Sequence, residues 1–463
     1  MPKLPKTKNL TENVPDILNA IRDNSSPQYQ SMVPRAAKDA SNVWEIGSAI
    51  YNYEPIQNEF VNALVNRIGL VLVTSKLYEN PWSFFKRGVL EYGETVEEIF
   101  VNLANPHKYD VSTAEKEVFK REIPDVRSAF HTLNYQVFYK VTIQNEELRK
   151  AFLSPNGIVD LIARIVDSLY TGVNADEFLM MKYLIARNLL AGRIKTVPVT
   201  YGNNIDYKKN TAKFKSISNQ MEFLSHDYNF SGVYTHTPKN KQFLILTAEY
   251  DATNDVEVLA SAFNMSKAEF MGRRVLVDSF SNIDNSRLQK LFLANNAEYY
   301  TPITASEKLI LEKLVGVLVD VDWFMIFDNI LKFTENYNGQ GLYWNYFLHT
   351  WKTFSVSPFA NAVGFVSDDT ESTITSVTVS PEQAQASIGT GGFLSATVKG
   401  TGVYNAKVKW SSSSQYVTID ENSGYYYVAN NENVDGTQAT LKATSVQDST
   451  KNATATLSLF IPQ

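Results

Sequence analysis

The chain has 463 residues, enough for several domains and a large core. It carries a formal net charge of −6 and no cysteine, which excludes disulfides and thiolate metal sites and gives no global signature of a nucleic-acid binder. No run approaches the roughly 18 apolar residues of a membrane span, and the start MPKLPKTKNLTENVPDILNA has no apolar stretch of signal-peptide length, so the expectation is an intracellular, soluble product.

Residues 1–12 are polar. Residues 16–22 carry a short helical signal, and 23–42, rich in Ser, Asn, Gln and Pro, reads as an extended arm. Pro55 opens a clearer helix, with Ile56, Phe60, Val61, Leu64 and Ile68 at helical spacing and Gly69 as its cap. Residues 70–73 read as a strand. Over 77–145 charge is dense and the apolar pattern nears alternation. The reading is a twisted two-stranded excursion, 84–90 against 94–103, then a helix-like run at 113–121. A ribbon this polar buries no core of its own and must lie on something else. Lys86 and Arg87 near its start, with Glu94, Glu97 and Glu98 on its return, suit ion pairs between chains.

Residues 155–192 are the strongest helical signal. Ile158, Leu161, Ile162, Ile165 and Leu169 make one stripe, Gly172 interrupts it, Asn174 caps a second helix, and Met180, Leu184 and Ile185 continue the face. Between 196 and 280 strands at 243–246 and 275–277 flank a helix at 255–263. The segment 316–366 is the most apolar and aromatic, broken by Asn338-Gly339 and Ser357-Pro358, and reads as buried strands that close a domain. Trp323, Trp344 and Trp351 are its expected core anchors.

After a polar linker at 367–373 the composition changes. In 374–463 Ser and Thr fill 24 of 90 positions, and five Lys face six acids, so this part is a separate class. Strict alternation, as in Val377/Val379 and Ala453/Ala455/Leu457/Leu459, with Gly and Asn turns, predicts a two-sheet β-sandwich anchored by Trp410.

No constellation carries catalysis. There is no phosphate loop, HExxH or GxSxG. The five histidines have no partners at ligand spacing. Glu97 and Glu98, adjacent on a strand, point to opposite faces. Asp320-Val321-Asp322 begins like a calcium loop but has Phe324 where a ligand should follow. Gly389-Thr390-Gly391-Gly392 precedes a strand and is a turn. The basic run 208–215 reads as a solvated helix flank, with a face toward DNA or an acidic protein as the alternative.

The motifs Asp322-Trp323-Phe324-Met325, Gly341-Leu342-Tyr343-Trp344-Asn345-Tyr346 and Phe359-Ala360-Asn361-Ala362-Val363 resemble the closing strands of the major capsid proteins of phi-29-like podophages. Phe85-Lys86-Arg87-Gly88 and Gly93-Glu94-Thr95-Val96-Glu97-Glu98-Ile99 resemble that family's E-loop, which lies over a neighbouring subunit. Ser380-Pro381, Val408-Lys409-Trp410-Ser411 and Leu441-Lys442-Ala443-Thr444-Ser445 resemble the bacterial immunoglobulin-like group-two (BIG2) module. The resemblance implies an α+β, HK97-type phage capsid fold plus a C-terminal all-β immunoglobulin-like sandwich. It implies an N-terminal arm (1–54), the P-domain start (55–76), the E-loop and return (77–145), the P-domain spine helix (146–195), the A-domain (196–340, with 284–313 insertion-like) and closing P-domain strands (341–366). The BIG2 domain at 374–463 would face outward on a linker with few contacts. It further implies a structural virion protein without enzymatic activity or cofactor, assembled in the host bacterial cytoplasm. Its partners would be itself in hexamers and pentamers, a scaffolding protein, a portal or connector, and packaged double-stranded DNA bound non-specifically, with no membrane. The competing readings are a bacterial surface adhesin or wall-associated protein, and a hydrolase with an appended binding module.

Overall fold

The computed structural model describes residues 10–68, 78–90, 95–104, 106, 125–144, 157–202, 205–254, 273–292, 300–370, 372–429, 431, 433 and 435–461. The strand expected at 70–73, the run at 113–121, the helix at 255–263 and Glu94 lie outside these residues. The order begins α1 (Leu10–Asp23), α2 (Pro27–Met32), α3 (Val43–Tyr51), α4 (Glu54–Ile68), β1 (Gly88–Val89), β2 (Thr95–Val101), β3 (Val126–Thr132) and β4 (Tyr135–Gln144). It continues with α5 (Gly157–Leu190), β5 (Lys195–Val199), α6 (Tyr207–Gln220), β6 (Gln242–Thr247), α7 (Ala248–Asn254), β7 (Arg274–Val277), α8 (Asn285–Leu291) and α9 (Ala305–Glu312). Then come β8 (Leu314–Asp320), β9 (Phe324–Asn338), β10 (Tyr343–Val356) and β11 (Ala362–Ser367), before an all-β C-terminal region. The chain is thus mixed α+β. It divides into two units, one of residues 1–83, 135–178 and 328–352, the other of 84–134, 179–327 and 353–463.

In the first unit, Val14, Leu18 and Ile21 of α1 share a core with Tyr29, Val33, Ile46, Ile50, Ile56 and Phe60. The stretch 23–42 is therefore folded and not the extended arm expected. Pro27 starts α2, Ser26 Oγ accepts from Tyr29 N (3.2 Å), and Arg22 donates to the carbonyls of Gln30 (2.7 Å) and Val33 (2.9 Å). These bonds satisfy a polar stretch locally, so its few apolar residues can be buried.

The α5 helix is continuous over 34 residues, so Gly172 does not interrupt it. One glycine costs a helix only about 1 kcal/mol relative to alanine, and buried Leu169 and Val173 on either side hold the turn. Asn174 caps nothing; its amide donates to Tyr78 O at 2.8 Å.

Strand β10 pairs antiparallel with β4, from Tyr343↔Gln144 to Lys352↔Tyr135. Alternation buries Trp344, Tyr346, Leu348 and Lys352 and leaves Trp351 on the other face, half-buried. Trp351 is accordingly no core anchor, whereas Trp344 is. Lys352 reaches two carboxylates: buried Glu177, and half-buried Asp328 at 2.9 Å. Asn80 donates to Glu177 at 2.6 Å, and the Tyr139 hydroxyl to Asp176 at 2.5 Å.

The second unit is built on a five-stranded sheet of order β5-β11-β8-β6-β7, with β11–β5 and β6–β7 parallel and the other pairs antiparallel. Every residue of β8 is buried, as the apolar run 314–319 requires, with Asp320 at its end held by hydrogen bonds. Gly316 permits the close β8–β6 approach, since a Cβ there would lie 2.5 Å from Leu246 Cδ2. Helix α6 packs Phe214 against Phe365 of β11, ring centroids 4.4 Å apart, and leaves Lys208, Lys209 and Lys215 exposed. Buried Trp323 meets Phe324 edge-on at 4.9 Å.

The C-terminal region comprises β12 (Ser372–Ser380), β13 (Gln383–Ser387), β14 (Gly391–Phe393), β15 (Ser395–Gly402), β16 (Val408–Ser412), β17 (Val417–Ile419), β18 (Tyr425–Val428), β19 (Gln438–Ser445) and β20 (Asn452–Phe460). Among the described residues their hydrogen-bonded ladders fall into three groups, β12-β15, β13-β20-β19-β16 and β14-β18-β17. Pro381, which has no N–H to give a ladder, divides β12 from β13, and the chain crosses from one sheet to another there. Trp410 is buried in the shared core with Leu441, Ala443 and Leu457. Gly424, at φ +73°, backs directly on the indole; a Cβ there would lie 3.0 Å from the ring and 2.4 Å from Leu394 O.

The connection to this region is bonded down, contrary to the expected loose linker. Ser367 N donates to Lys313 O (3.0 Å), Asp368 N to Val199 O (2.9 Å), and Asp369 pairs with Lys313 (3.2 Å). Farther on, Ala406 N donates to Gly192 O (3.1 Å), and Gly192 at φ +68° leaves room for Tyr404.

Candidate assembly surface

The excursion at 84–103 does not fold back on itself as expected. Gly88 and Val89 lie beside β9, with Arg87 N donating to Ile326 O at 2.9 Å, while β2 pairs antiparallel with β3, from Thr95↔Thr132 to Val101↔Val126. The reason is geometric. The alternating faces of β2 match those of 126–132, and the approach to β2 is already engaged by β9.

The two faces of the β2–β3 ribbon differ. On the inner face Glu98, Phe100 and His131 are held. His131 is 2 % exposed, with Nδ1 2.8 Å from Ser355 Oγ and Nε2 3.2 Å from Glu98. Ser357 Oγ donates to the other Glu98 oxygen at 2.8 Å, and Phe100 stacks on Phe359 at 5.4 Å. At the far end Arg127 bonds Asp125 and the Ser231 carbonyl. Burial raises the Asp125 carboxyl pKa, but its bonds to Arg127 and Asn102 hold it below the ordinary range. The outer face carries Ile99, Val101, Val126 and Phe130, exposed by 61, 59, 45 and 63 %. An apolar stripe on a two-stranded ribbon is a surface built to be covered.

The candidate charges separate accordingly. Arg87 is not free for a neighbour: it pairs with Asp322 at 3.0 Å. Glu98 is spent on His131 and Ser357. Lys86 is half-buried and Glu97 exposed, and the two glutamates do point to opposite faces. The anchors His131, Ser355 and Ser357 were missed; the signal available was Glu98 and Phe100 sharing one strand face.

The Asp320 pair is structural. Asp320 accepts from Asp322 N (2.9 Å) and from Thr237 Oγ1 (2.7 Å), and burial raises its carboxyl pKa above the ordinary range. Asp322 holds Arg87 and Lys241. Among the described residues no group of three or more His, Asp or Glu is placed to hold a metal. Among them, too, no helix is long and apolar enough to cross a membrane.

Residues 18–366 match the model of the Phi29-like phage major capsid protein family. The chain is 35 % identical over 434 residues to the major capsid protein of Bacillus phage B103, covering 93 % of this chain and 89 % of that one. It is 28 % identical over 366 residues to that of Streptococcus phage Cp-1, covering 75 % and 92 %. Among solved structures it is similar to the capsid of Staphylococcus phage Andhra, with TM-score 0.49 and 14 % identity, over 64 % of this chain and 86 % of that one. The class is therefore a phage major capsid protein, a structural subunit that associates with its own copies into the capsid shell of the virion. The chain belongs to the Phi29-like phage major capsid protein family. The adhesin reading falls with that membership.

Proposed function

We propose that the chain folds as an HK97-type capsid subunit whose β2–β3 ribbon is its E-loop and lies over a neighbouring subunit. The observation that carries this is the two-faced ribbon, one face pinned by His131 and Glu98, the other an uncovered stripe of Ile99, Val101, Val126 and Phe130. Repeated by symmetry around hexamers and pentamers, such modest contacts sum to a durable shell. The shell encloses double-stranded DNA without reading its sequence, and its work is assembly, not catalysis. A scaffolding protein and a portal are the further partners, and assembly takes place in the host cytoplasm. The C-terminal region is an immunoglobulin-like module on the outer surface; its alternating strands around Trp410 support this.

The test is the double variant Ile99→Asp, Phe130→Asp. These exposed changes are expected to leave subunit stability within about 0.5 kcal/mol while abolishing sedimenting shells. Assembly at the wild-type level overturns the ribbon's role.

A further inference from the structure

The second unit contains a cleft of about 510 Å³ where the C-terminal region meets the segment 192–232. Its walls carry five basic side chains, Arg127, Arg193, Lys195, Lys407 and Lys409, against a single carboxylate, Asp227. Two of the five are already neutralised: Arg127 by Asp125 at 2.8 Å and Lys409 by Glu421 at 2.7 Å. That leaves Arg193, Lys195 and Lys407 facing Asp227 alone.

None of these three is closely paired. Lys195 is 4.0 Å from Asp227 and lies over the Tyr228 ring, 4.5 Å from its centroid. Arg193 lies over the Phe230 ring at 5.5 Å and, among the described residues, has no carboxylate within 4.0 Å. Lys407 is half-buried and donates to the His226 carbonyl at 2.6 Å, which offsets only part of one charge. Burial pulls its pKa down to about 8, so the ammonium remains charged at neutral pH in a place that disfavours charge. A cleft that focuses one sign of charge between low-dielectric walls concentrates the opposite ion.

We infer that this cleft binds a phosphate group, as a monoester or a diester, held by Arg193, Lys195 and Lys407. All three line the cleft, and the guanidinium and two ammoniums offer more donors than their present bonds use, a fork and two point charges of the kind that bind phosphate oxygens. The flanking Phe230 ring and the hydroxyls of Ser395 and Ser423 leave room for the group the phosphate is attached to. Because both walls contribute, occupancy ties the C-terminal region to the rest of the unit. This assigns the junction a ligand and does not depend on the ribbon's role in the shell.

The test is calorimetric titration of the full-length chain with inorganic phosphate, glycerol 3-phosphate and a short oligothymidylate, at constant ionic strength. The expected result is saturable binding, weakened about tenfold by Arg193→Ala, the effect of losing one charge-assisted hydrogen bond. Asp227→Asn, which removes the lone opposing charge, should tighten binding severalfold, and this gain needs a folded protein to be seen. Oligothymidylate that competes with glycerol 3-phosphate and binds more tightly identifies a phosphodiester polymer as the source; oligothymidylate that fails to compete identifies a free phosphate ester. Absence of saturable phosphate binding, or binding that neither variant changes, overturns the proposal.

Discussion

Lys352 and Glu177 set the strongest constraint at the scale of single residues, being 5 % and 2 % exposed. Removing Lys352 takes the counter-charge from buried Glu177, at a cost of about 3–5 kcal/mol, whereas replacing both with apolar groups of similar volume is milder, since the Asp328 left behind is half-exposed to water. Lys352→Met is therefore expected to lower stability by about 3–5 kcal/mol in denaturant unfolding. Lys352→Met with Glu177→Leu should cost clearly less than the single variant. Lys407 shows the opposite balance. Its folded pKa, about 8, lies below the ordinary lysine value of 10.5, because burial outweighs the attraction of Asp227, with Lys195 adding repulsion. Between these values the unfolded chain binds more protons, so this group's contribution to stability rises with pH from about 8 to 10.5. In phosphate-free buffer Lys407→Met should raise the melting temperature at pH 7, and the gain should shrink as pH climbs toward 10.5. A constant gain across that range would contradict the assignment.

At the scale of elements, the β2–β3 ribbon separates tethering from docking. The inner face holds it to its own subunit through His131, Glu98, Ser355 and Ser357. His131→Ala should raise amide exchange across 95–101 and leave that of the buried β8 strand unchanged. The charges at the ribbon's base do different work. Arg87→Glu breaks an intrachain pair with Asp322, and exposed pairs are worth about 0–1 kcal/mol. It should therefore cost a small amount of subunit stability and spare shell formation, unlike the outer-face double variant. Loss of shells with Arg87→Glu, seen by sedimentation, would return that charge to the intersubunit contact. Within the C-terminal region the decisive element contact is the Trp410 indole on the β18 turn. Trp410→Ala should cost about 3–5 kcal/mol, and Gly424→Val should be comparably severe because it meets both the indole and the Leu394 carbonyl.

At the scale of the whole molecule, the question is how independent the C-terminal region is. It has its own core, so a fragment of residues 372–463 should fold alone, with a β-type circular dichroism spectrum and cooperative melting. A chain ending at Thr370 should still form shells, since the sheet of β5, β11, β8, β6 and β7 is complete without it. The docking of the region is a separate property. Gly192→Val places a Cβ 2.7 Å from Tyr404 O on a backbone with positive φ. It should loosen the junction and speed proteolysis at 367–373 without unfolding either part. Unchanged cleavage would show that Gly192 does not govern docking.

Periodicity and composition by themselves determined much of this protein. The helix at α4, the strands β6, β7, β8 and β11, the compositional break after Val366 and the buried place of Trp323, Trp344 and Trp410 were legible, because each rests on a local repeat or on bulk hydrophobicity. The motifs shared with capsid proteins likewise named the family. The sequence could not choose between partners of equal local merit. Strand β2 alternates as well against one neighbour as another, and only the competing bonds of β9 sent it to β3. Gly172 and the polar stretch 23–42 weaken a helix locally, yet packing in the first unit's core outweighed both. Arg87 and Glu98 were fit for many partners, and tertiary proximity gave them to Asp322 and to the His131 ring and Ser357 hydroxyl. Strand pairing, the fate of side chains on two-sided elements and the seating of the C-terminal region depend on contacts far apart in the chain, whose energies no local window contains.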